Sequence, residues 1–233
     1  NGIAEKLHED IEPLAPSFLD ILVPTCEEID STNTNINSHE EVISAISTIV
    51  YETGVLSEPL IQRILGICMN CLETQNSSLV SSAAILLSHA FRNFRLSLID
   101  YAQDFLNILI DCLVLQNIDE WTMFFLLHAI SIILNIGFNT DDHYDYTNFQ
   151  GIAQILYPRR EDLMNISVNL IQFLESYDKN STDNAKSIFQ ELLTIFSTIM
   201  KIYFYERSPN PNDTSKFLPS EFVALYETQF IDI

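Results

Sequence analysis

Glycine is scarce in this chain, which has only five glycines among its 233 residues. Tight β-hairpins and phosphate-binding loops need glycine at fixed positions, because other residues adopt their backbone angles only with strain. The sequence contains no P-loop, dinucleotide-binding fingerprint, nucleophile elbow or zinc-protease helix. The chain is therefore predicted to lack β-sheets, to be no enzyme and to need no cofactor.

Basic residues are also scarce. There are 11 Lys and Arg against 32 Asp and Glu, for a formal net charge of -21. No Lys or Arg lies between Lys6 and Arg63, or between Arg95 and Arg159. Such regions repel nucleic acid phosphate and anionic membranes and attract basic ligands, although a solvated face that keeps the protein soluble is the alternative interpretation. The charge predicts a basic partner, with no nucleic acid and no membrane.

Apolar residues make up 47% of the chain, which excludes a disordered acidic tail. The apolar runs exceed strand length, have helical spacing and are too short or too charged to cross a bilayer. The fold class is therefore predicted to be all-α, and Pro24 is expected to kink the first helix. Predicted helices lie at about 15–29, 38–54, 60–72, 79–94, 98–115, 120–136, 162–176, 183–205 and 219–230.

Three pentapeptides share one pattern, an apolar pair followed by a small or polar residue and another apolar pair. They are FLDIL at 18–22, ILGIC at 64–68 and FLNIL at 105–109, and they recur about 46 and 41 residues apart, which is typical of helical-pair solenoids. A second apolar helix lies between consecutive copies. Because one helix pair cannot bury its apolar face alone, the pairs must stack. We therefore predict an α-solenoid of antiparallel helix pairs, with about four to five repeats.

The same pattern defines the predicted domain organisation. The repeat array is expected to span residues 1–207, with an irregular insert at about 139–160, and residues 208–233 are expected to form a linker and a short terminal helix. The chain starts at Asn1, without Met and within the pattern. We therefore expect it to be a segment of a longer solenoid.

The four cysteines lie inside apolar helices, where thiols behave as small hydrophobic groups. Cys68 and Cys71 form a CxxC pair, but no second pair and no histidines follow at zinc-ligand spacing. Core packing is therefore favoured over a metal or redox role. His143, among Asp141, Asp142 and Asp145, leaves a metal-dependent enzyme as an alternative, with a flexible acidic loop as the favoured interpretation.

One predicted helix carries an acidic stripe formed by Asp100, Asp104, Asn107 and Asp111, within roughly 60° of one another at about 100° per residue. If the helix at 79–94 pairs with this helix, the stripe lies on the second helix of a repeat, which usually lines the concave face. Aligned carboxylates could bind Lys and Arg of a basic partner there. Asp20 and Glu27 form a similar, shorter stripe. The alternative is an ordinary exposed helix face.

Trp121, the only tryptophan, follows Glu120 at a predicted helix start. Acidic residues there suit the helix dipole, and Trp121 begins an apolar run, so a structural role is favoured over an aromatic platform for Lys or Arg. Glu120 and Trp121 are still included among the candidate residues for binding a basic partner. Phe91 and Phe94 end a first helix in the assumed pairing. They are expected to be mostly core, with shallow outer pockets between repeats as the alternative.

Four helical stretches resemble HEAT repeats from the C-terminal half of the importin-beta family. They are EEVISAISTIVYETG at 40–54, SSLVSSAAILLSHAFRNF at 77–94, SLIDYAQDFLNILIDCL at 97–113 and WTMFFLLHAISIILNIG at 121–137. The Ala-rich first helices end near Gly, and the second helices carry a carboxylate in their early turns. The similarity covers roughly residues 40–205, and the insert at 139–150 departs from the family's regular spacing.

This resemblance implies a nuclear import receptor, located in the cytoplasm, the nucleus and the nuclear pore. Such a receptor binds basic cargo or an importin-alpha adaptor helix on an acidic concave face, releases it when Ran GTPase binds, and docks Phe-Gly nucleoporins between outer helices. By position, Asp100, Asp104 and Asp111 match carboxylates of the inner helix, and Phe91 and Phe94 would belong to the outer pockets. A different HEAT scaffold that binds a folded protein surface remains the alternative.

Overall fold

The computed structural model describes residues 12–27, 36–74, 76–115, 118–136, 162, 165, 186–188 and 190–195. All regular secondary structure in these ranges is helical. The α-helices are α1 (Ala15–Cys26), α2 (Ile36–Glu52), α3 (Glu58–Leu72), α4 (Ser77–Phe94), α5 (Ala102–Leu115) and α6 (Glu120–Leu134), and the 3-10 helices are η1 (Glu12–Leu14) and η2 (Arg95–Tyr101). The prediction of an all-α chain is confirmed for this part of the molecule.

Side-chain caps explain why two of the helices begin where they do. The Asn76 side chain accepts a hydrogen bond from the Leu79 N–H at 3.1 Å at the start of α4. The Asp119 carboxylate accepts one from the Thr122 N–H at 3.0 Å at the start of α6. These bonds satisfy N–H groups that have no partner within the helix. Both starts lie within two residues of the predicted ones.

Two predicted boundaries are wrong by several residues. Helix α1 ends at Cys26, not at residue 29, and it continues through Pro24 in its last turn. Helix α5 begins at Ala102, because the preceding residues form η2 instead of a first α-helical turn. Arg95 ends α4 with a positive φ of 34°, a conformation that no α-helix can continue through. The end of α4 at Phe94 agrees with the predicted one, although Arg95 is neither the glycine nor the asparagine that usually adopts a positive φ.

The helices pack in three hairpins, α1 with α2, α3 with α4, and α5 with α6. The hairpins then stack, so that α1, α3 and α5 follow one another in one row and α2, α4 and α6 in another. We call these the odd row and the even row. Contacts within the even row are much more extensive than those within the odd row. The pairing of residues 79–94 with 98–115 assumed from the sequence is therefore wrong, because α5 packs mainly against α6 as the first helix of its hairpin.

Hydrogen bonds between consecutive hairpins recur at similar sequence separations. His89 bonds to Ser47, 42 residues earlier, and Asn93 bonds to the Val50 carbonyl, 43 residues earlier. The separations are 45 from Thr122 to the Ser77 carbonyl and 40 from Cys112 to the Leu72 carbonyl. Similar separations mean that neighbouring hairpins meet in nearly the same register, which is what stacked repeats of similar length require.

The described part of the chain has one continuous apolar core. Each pentapeptide contributes buried residues to it, for example Leu19, Leu65 and Phe105. Ile188, Leu192 and Ile195 are buried in the same core at helical spacing, so helical packing continues beyond the predicted insert. The insert at 139–160 and the segment at 208–233 lie outside the described residues. Among the described helices, none has the length and hydropathy needed to cross a membrane.

Gly66, the central residue of the second pentapeptide, offers a direct test of this packing. It is exposed within α3, and a Cβ atom added there would meet no other atom within 4 Å. We expect Gly66→Ala to raise the free energy of unfolding by about 1 kcal/mol, because alanine has the higher helix propensity. Urea denaturation measures the change. Ala45→Gly, at an exposed position inside α2, is the matched control and should lower stability by a similar amount. A loss of stability in Gly66→Ala would contradict the open surroundings of this residue.

Candidate functional site

The predicted acidic stripe divides between two elements. Asp104, Asn107 and Asp111 lie on one face of α5, where the two carboxylates are exposed and the amide is half-buried. Asp100 is also at the surface but lies in η2, before the helix begins. The expectation of a single helical stripe is therefore correct for three residues and wrong for Asp100.

The acidic residues of α1 and α5 belong to the same row of helices. The pentapeptides place Asp20, Gly66 and Asn107 at equivalent central positions of α1, α3 and α5. Asp20 and Gly66 are exposed, and Asn107 is half-buried. We call the exposed side of the odd row the acidic face. Its predicted partner-binding residues are Asp20, Glu27, Asp100, Asp104, Asn107 and Asp111.

An arginine of the chain itself binds to one end of the acidic face. Arg63 on α3 donates from Nε to Glu27 Oε1 at 2.6 Å and from a terminal nitrogen to Glu27 Oε2 at 3.2 Å. The hydrogen bond that Arg63 donates lowers the pKa of Glu27. The same hydrogen bond, together with the attraction of Asp20, raises the pKa of Arg63. Both side chains remain more than a third exposed. Glu27 is therefore already engaged, a contact that its sequence position did not indicate.

The hairpin pairing changes where the acidic face lies in the molecule. The predicted concave position depends on residues 98–115 being the second helix of a repeat. Since α5 is the first helix of its hairpin, a concave position no longer follows for Asp104, Asn107 and Asp111.

Glu120 and Trp121 lie apart from the acidic face, at the start of α6 in the even row. The predicted acidic helix start is confirmed, with Asp119 as the cap and Glu120 in the first turn, but Trp121 is 57% exposed although an apolar run follows it. Its ring stacks on Phe125, with centroids 6.2 Å apart and an interplanar angle of 24°. The two rings form a platform at the surface, next to the Asp119 carboxylate that caps the helix.

The platform continues along α6 as an aromatic face that was not predicted from the sequence. The Phe125 ring lies 5.2 Å from that of Phe124, which stacks on His128 at 6.0 Å. His128 Nδ1 lies 2.9 Å from Glu191 Oε1. Trp121, Phe124, Phe125 and His128 follow the i, i+3, i+4, i+7 spacing of one helix side, which was the available signal. We call these four residues the aromatic face.

The two phenylalanines proposed for outer pockets have different surroundings. Phe91 is fully buried and packs edge to face on Phe105, with ring centroids 6.0 Å apart. Its ring belongs to the core, so the pocket role is wrong for Phe91 and the core role is right. Phe94 is half-buried against the same core. On the even row, the Tyr51 ring lies 4.8 Å from that of His89, whose pKa is lowered by burial.

All four cysteines are buried and free, which agrees with their predicted place in the core. Burial raises the pKa of Cys71 to about 12 and that of Cys112 to about 11, and it raises the pKa of Cys68 well above its usual range. These thiols are protonated at neutral pH. Within the described ranges, no group of three His, Cys, Asp or Glu side chains could hold a metal ion. The His143 cluster lies outside those ranges.

Comparisons of the chain with family models, with curated proteins and with solved structures find no match. The family assignment therefore remains a prediction from the four helical stretches. The structure contributes a stacked helical framework with an acidic face on one row and an aromatic face on the other.

Proposed function

We propose that this chain is a HEAT-repeat segment of a nuclear transport receptor and that its acidic face binds basic cargo or an importin-alpha-type adaptor helix. The repeat assignment is supported by three packed hairpins, by their two rows and by inter-hairpin hydrogen bonds 40 to 45 residues apart. Stacked helical pairs present extended surfaces that suit binding better than catalysis.

The observation that carries the proposal is the Arg63–Glu27 pair. It provides an example, within this chain, of a guanidinium held in bidentate geometry by a carboxylate of the acidic face. Arg63 is the only Lys or Arg in the sequences of α1, α3 and α5. Asp20, Asp104 and Asp111 therefore outnumber the cations of these helices, and this excess of carboxylates would attract a basic ligand.

The import-receptor part of the proposal rests on the sequence resemblance. The same resemblance implies Ran GTPase and Phe-Gly nucleoporins as further partners. It also implies that the protein is located in the cytoplasm, the nucleus and the nuclear pore. A second candidate is a HEAT scaffold that binds a folded protein. It is favoured by three exposed apolar side chains of the first described helical turns, Leu14, Phe18 and Ile21, since exposed apolar clusters mark protein interfaces.

Titration with a labelled basic peptide that has the charge pattern of an adaptor helix tests the proposal. We expect binding that weakens as salt is raised, because exposed charges are screened. The Asp100→Lys/Asp104→Lys variant should lose about tenfold in affinity, since two contacts change from attractive to repulsive. Fluorescence anisotropy at two salt concentrations gives both results.

The matched control is Glu40→Lys/Glu41→Lys, which makes the same charge change on α2 in the even row. It should lose much less affinity than the variant of the acidic face. Equal losses in both variants would mean that only net charge matters, and they would contradict a defined site. Binding of an uncharged folded partner, with no binding of the peptide at low salt, would favour the scaffold.

A further inference from the structure

Helix α6 is apolar on every side, unlike the other described helices. Thr122, Leu126 and Ile130 are buried, and the remaining side consists of Trp121, Phe124, Phe125, His128 and Ile132, none of which is fully buried. A helix that is hydrophobic all round normally lies inside a protein. Trp121 is 57% exposed, so its ring is accessible to a ligand at the surface.

The charges next to Trp121 select the chemistry of that ligand. Asp119 and Glu120 directly precede Trp121 in the sequence. At the other end of the aromatic face, the Glu191 carboxylate contacts His128. The Asp119 carboxylate accepts hydrogen bonds from the Thr122 N–H at 3.0 Å and from its hydroxyl at 2.9 Å. Although partial burial opposes it, these bonds lower the pKa of Asp119, so this carboxylate is ionised at neutral pH. No Lys or Arg lies between Arg95 and Arg159 in the sequence.

We propose that the start of α6 is a binding site for an arginine side chain of a basic polypeptide. The guanidinium would stack on the exposed face of Trp121, its aliphatic stem would cover Phe125, and its N–H groups would bind the Asp119 and Glu120 carboxylates. A planar guanidinium combines stacking on an aromatic ring with donation to carboxylates, which the compact lysine ammonium does less well. A purely apolar ligand would gain nothing from the two carboxylates.

This site lies on the even row and is separate from the acidic face. The inference rests on the proposed function only in taking the partner to be basic. If one ligand contacts both surfaces, it must reach from one row of helices to the other. The two sites can be measured separately, because Trp121 is the only tryptophan and its emission reports the start of α6.

The test is titration of the intact chain with an arginine-rich peptide while the Trp121 emission is recorded. A peptide of the same sequence with citrulline in place of arginine is the control, since citrulline keeps the shape and loses the charge. We expect the arginine peptide to change the intensity or the wavelength of the emission, and the citrulline peptide to have at least tenfold lower affinity. Glu120→Gln should weaken binding of the arginine peptide severalfold while leaving the helical circular dichroism unchanged.

The outcomes separate this inference from the proposed function. Anisotropy that shows peptide binding without any change in Trp121 emission would overturn the inference and leave the acidic face intact. An emission change that persists in Asp100→Lys/Asp104→Lys would support the inference even if the acidic face fails. Equal affinity for the arginine and citrulline peptides would also overturn it, because stacking alone would then account for binding.

Discussion

Phe91→Ala is expected to lower the free energy of unfolding by about 3–5 kcal/mol, the usual cost of removing a fully buried phenylalanine ring. Phe91 on α4 is fully buried and meets Phe105 on α5 edge to face. The ring pair adds a contact between α4 and α5 to the more extensive packing of α4 on α6, which joins the second hairpin to the third. Urea denaturation, followed by circular dichroism at the helix band, measures the loss.

Phe18→Ala is the matched control, because it removes the same ring from a position that is 48% exposed. We expect it to cost less than about 1 kcal/mol. If Phe91→Ala does not fold, Phe91→Leu keeps most of the volume and should cost about 1–1.5 kcal/mol. A double-mutant cycle with Phe105 should give a coupling of about 0.5–1.5 kcal/mol. Equal costs at positions 18 and 91 would contradict the buried place of Phe91.

Asn93→Asp is expected to produce the second large effect, and one that depends on pH. The Asn93 side-chain nitrogen lies 2.6 Å from the Val50 carbonyl oxygen, 2.9 Å from that of Tyr51 and 3.4 Å from that of Thr53. It therefore caps the end of α2 from α4, in the neighbouring hairpin. A carboxylate at this place would face three carbonyl oxygens at the negative end of a helix. We expect a loss of about 2–4 kcal/mol at neutral pH, from the lost hydrogen bonds and the repulsion.

The sign of the pH dependence follows from the carbonyls. They disfavour the charged form, so the pKa of the introduced carboxyl should rise above the unfolded value of about 3.9. Below the unfolded pKa the introduced carboxyl is protonated in both states, so its charge costs no stability. As the pH rises from the unfolded pKa to the folded pKa, the free energy of unfolding of the variant falls. Asn93→Ala lacks this charge and should cost about 1–2 kcal/mol, with the pH dependence of the parent chain. Denaturation of both variants between about pH 4 and 7 distinguishes them, and parallel pH profiles would contradict the capping role of Asn93.

Local features of the sequence predicted the helices well. Pro59 near the start of α3, Asn76 before α4 and Asp119 before α6 act within a few residues, so their effects could be recognised from composition and spacing. The end of α4 at Phe94 agrees with the predicted one, but the positive φ of Arg95 that follows it could not be recognised, since this residue type does not favour it. The burial of the four cysteines was also predictable, because they lie among apolar residues on their own helices.

The candidate sites were predicted less completely. Helical periodicity placed Asp104, Asn107 and Asp111 on one face, because that relation depends on a single helix. Periodicity carried no information on Arg63 and Glu27, which come together only where α1 packs beside α3. The exposure of Trp121 was likewise hidden, since the residues after it are apolar and imply burial unless the packing of α6 is known.

The sequence by itself determined the helical fold class, the acidic charge and an apolar pattern that recurs about 46 and 41 residues apart, because these depend on composition and on spacing along one chain. Only the tertiary structure decided which helices pair, since apolar helices such as α4 and α5 could form a hairpin equally well by pattern. The contacts of α1 with α2, of α3 with α4 and of α5 with α6 select the other pairing. That choice, which depends on packing between distant residues, places the acidic face on the odd row and the aromatic face on the even row.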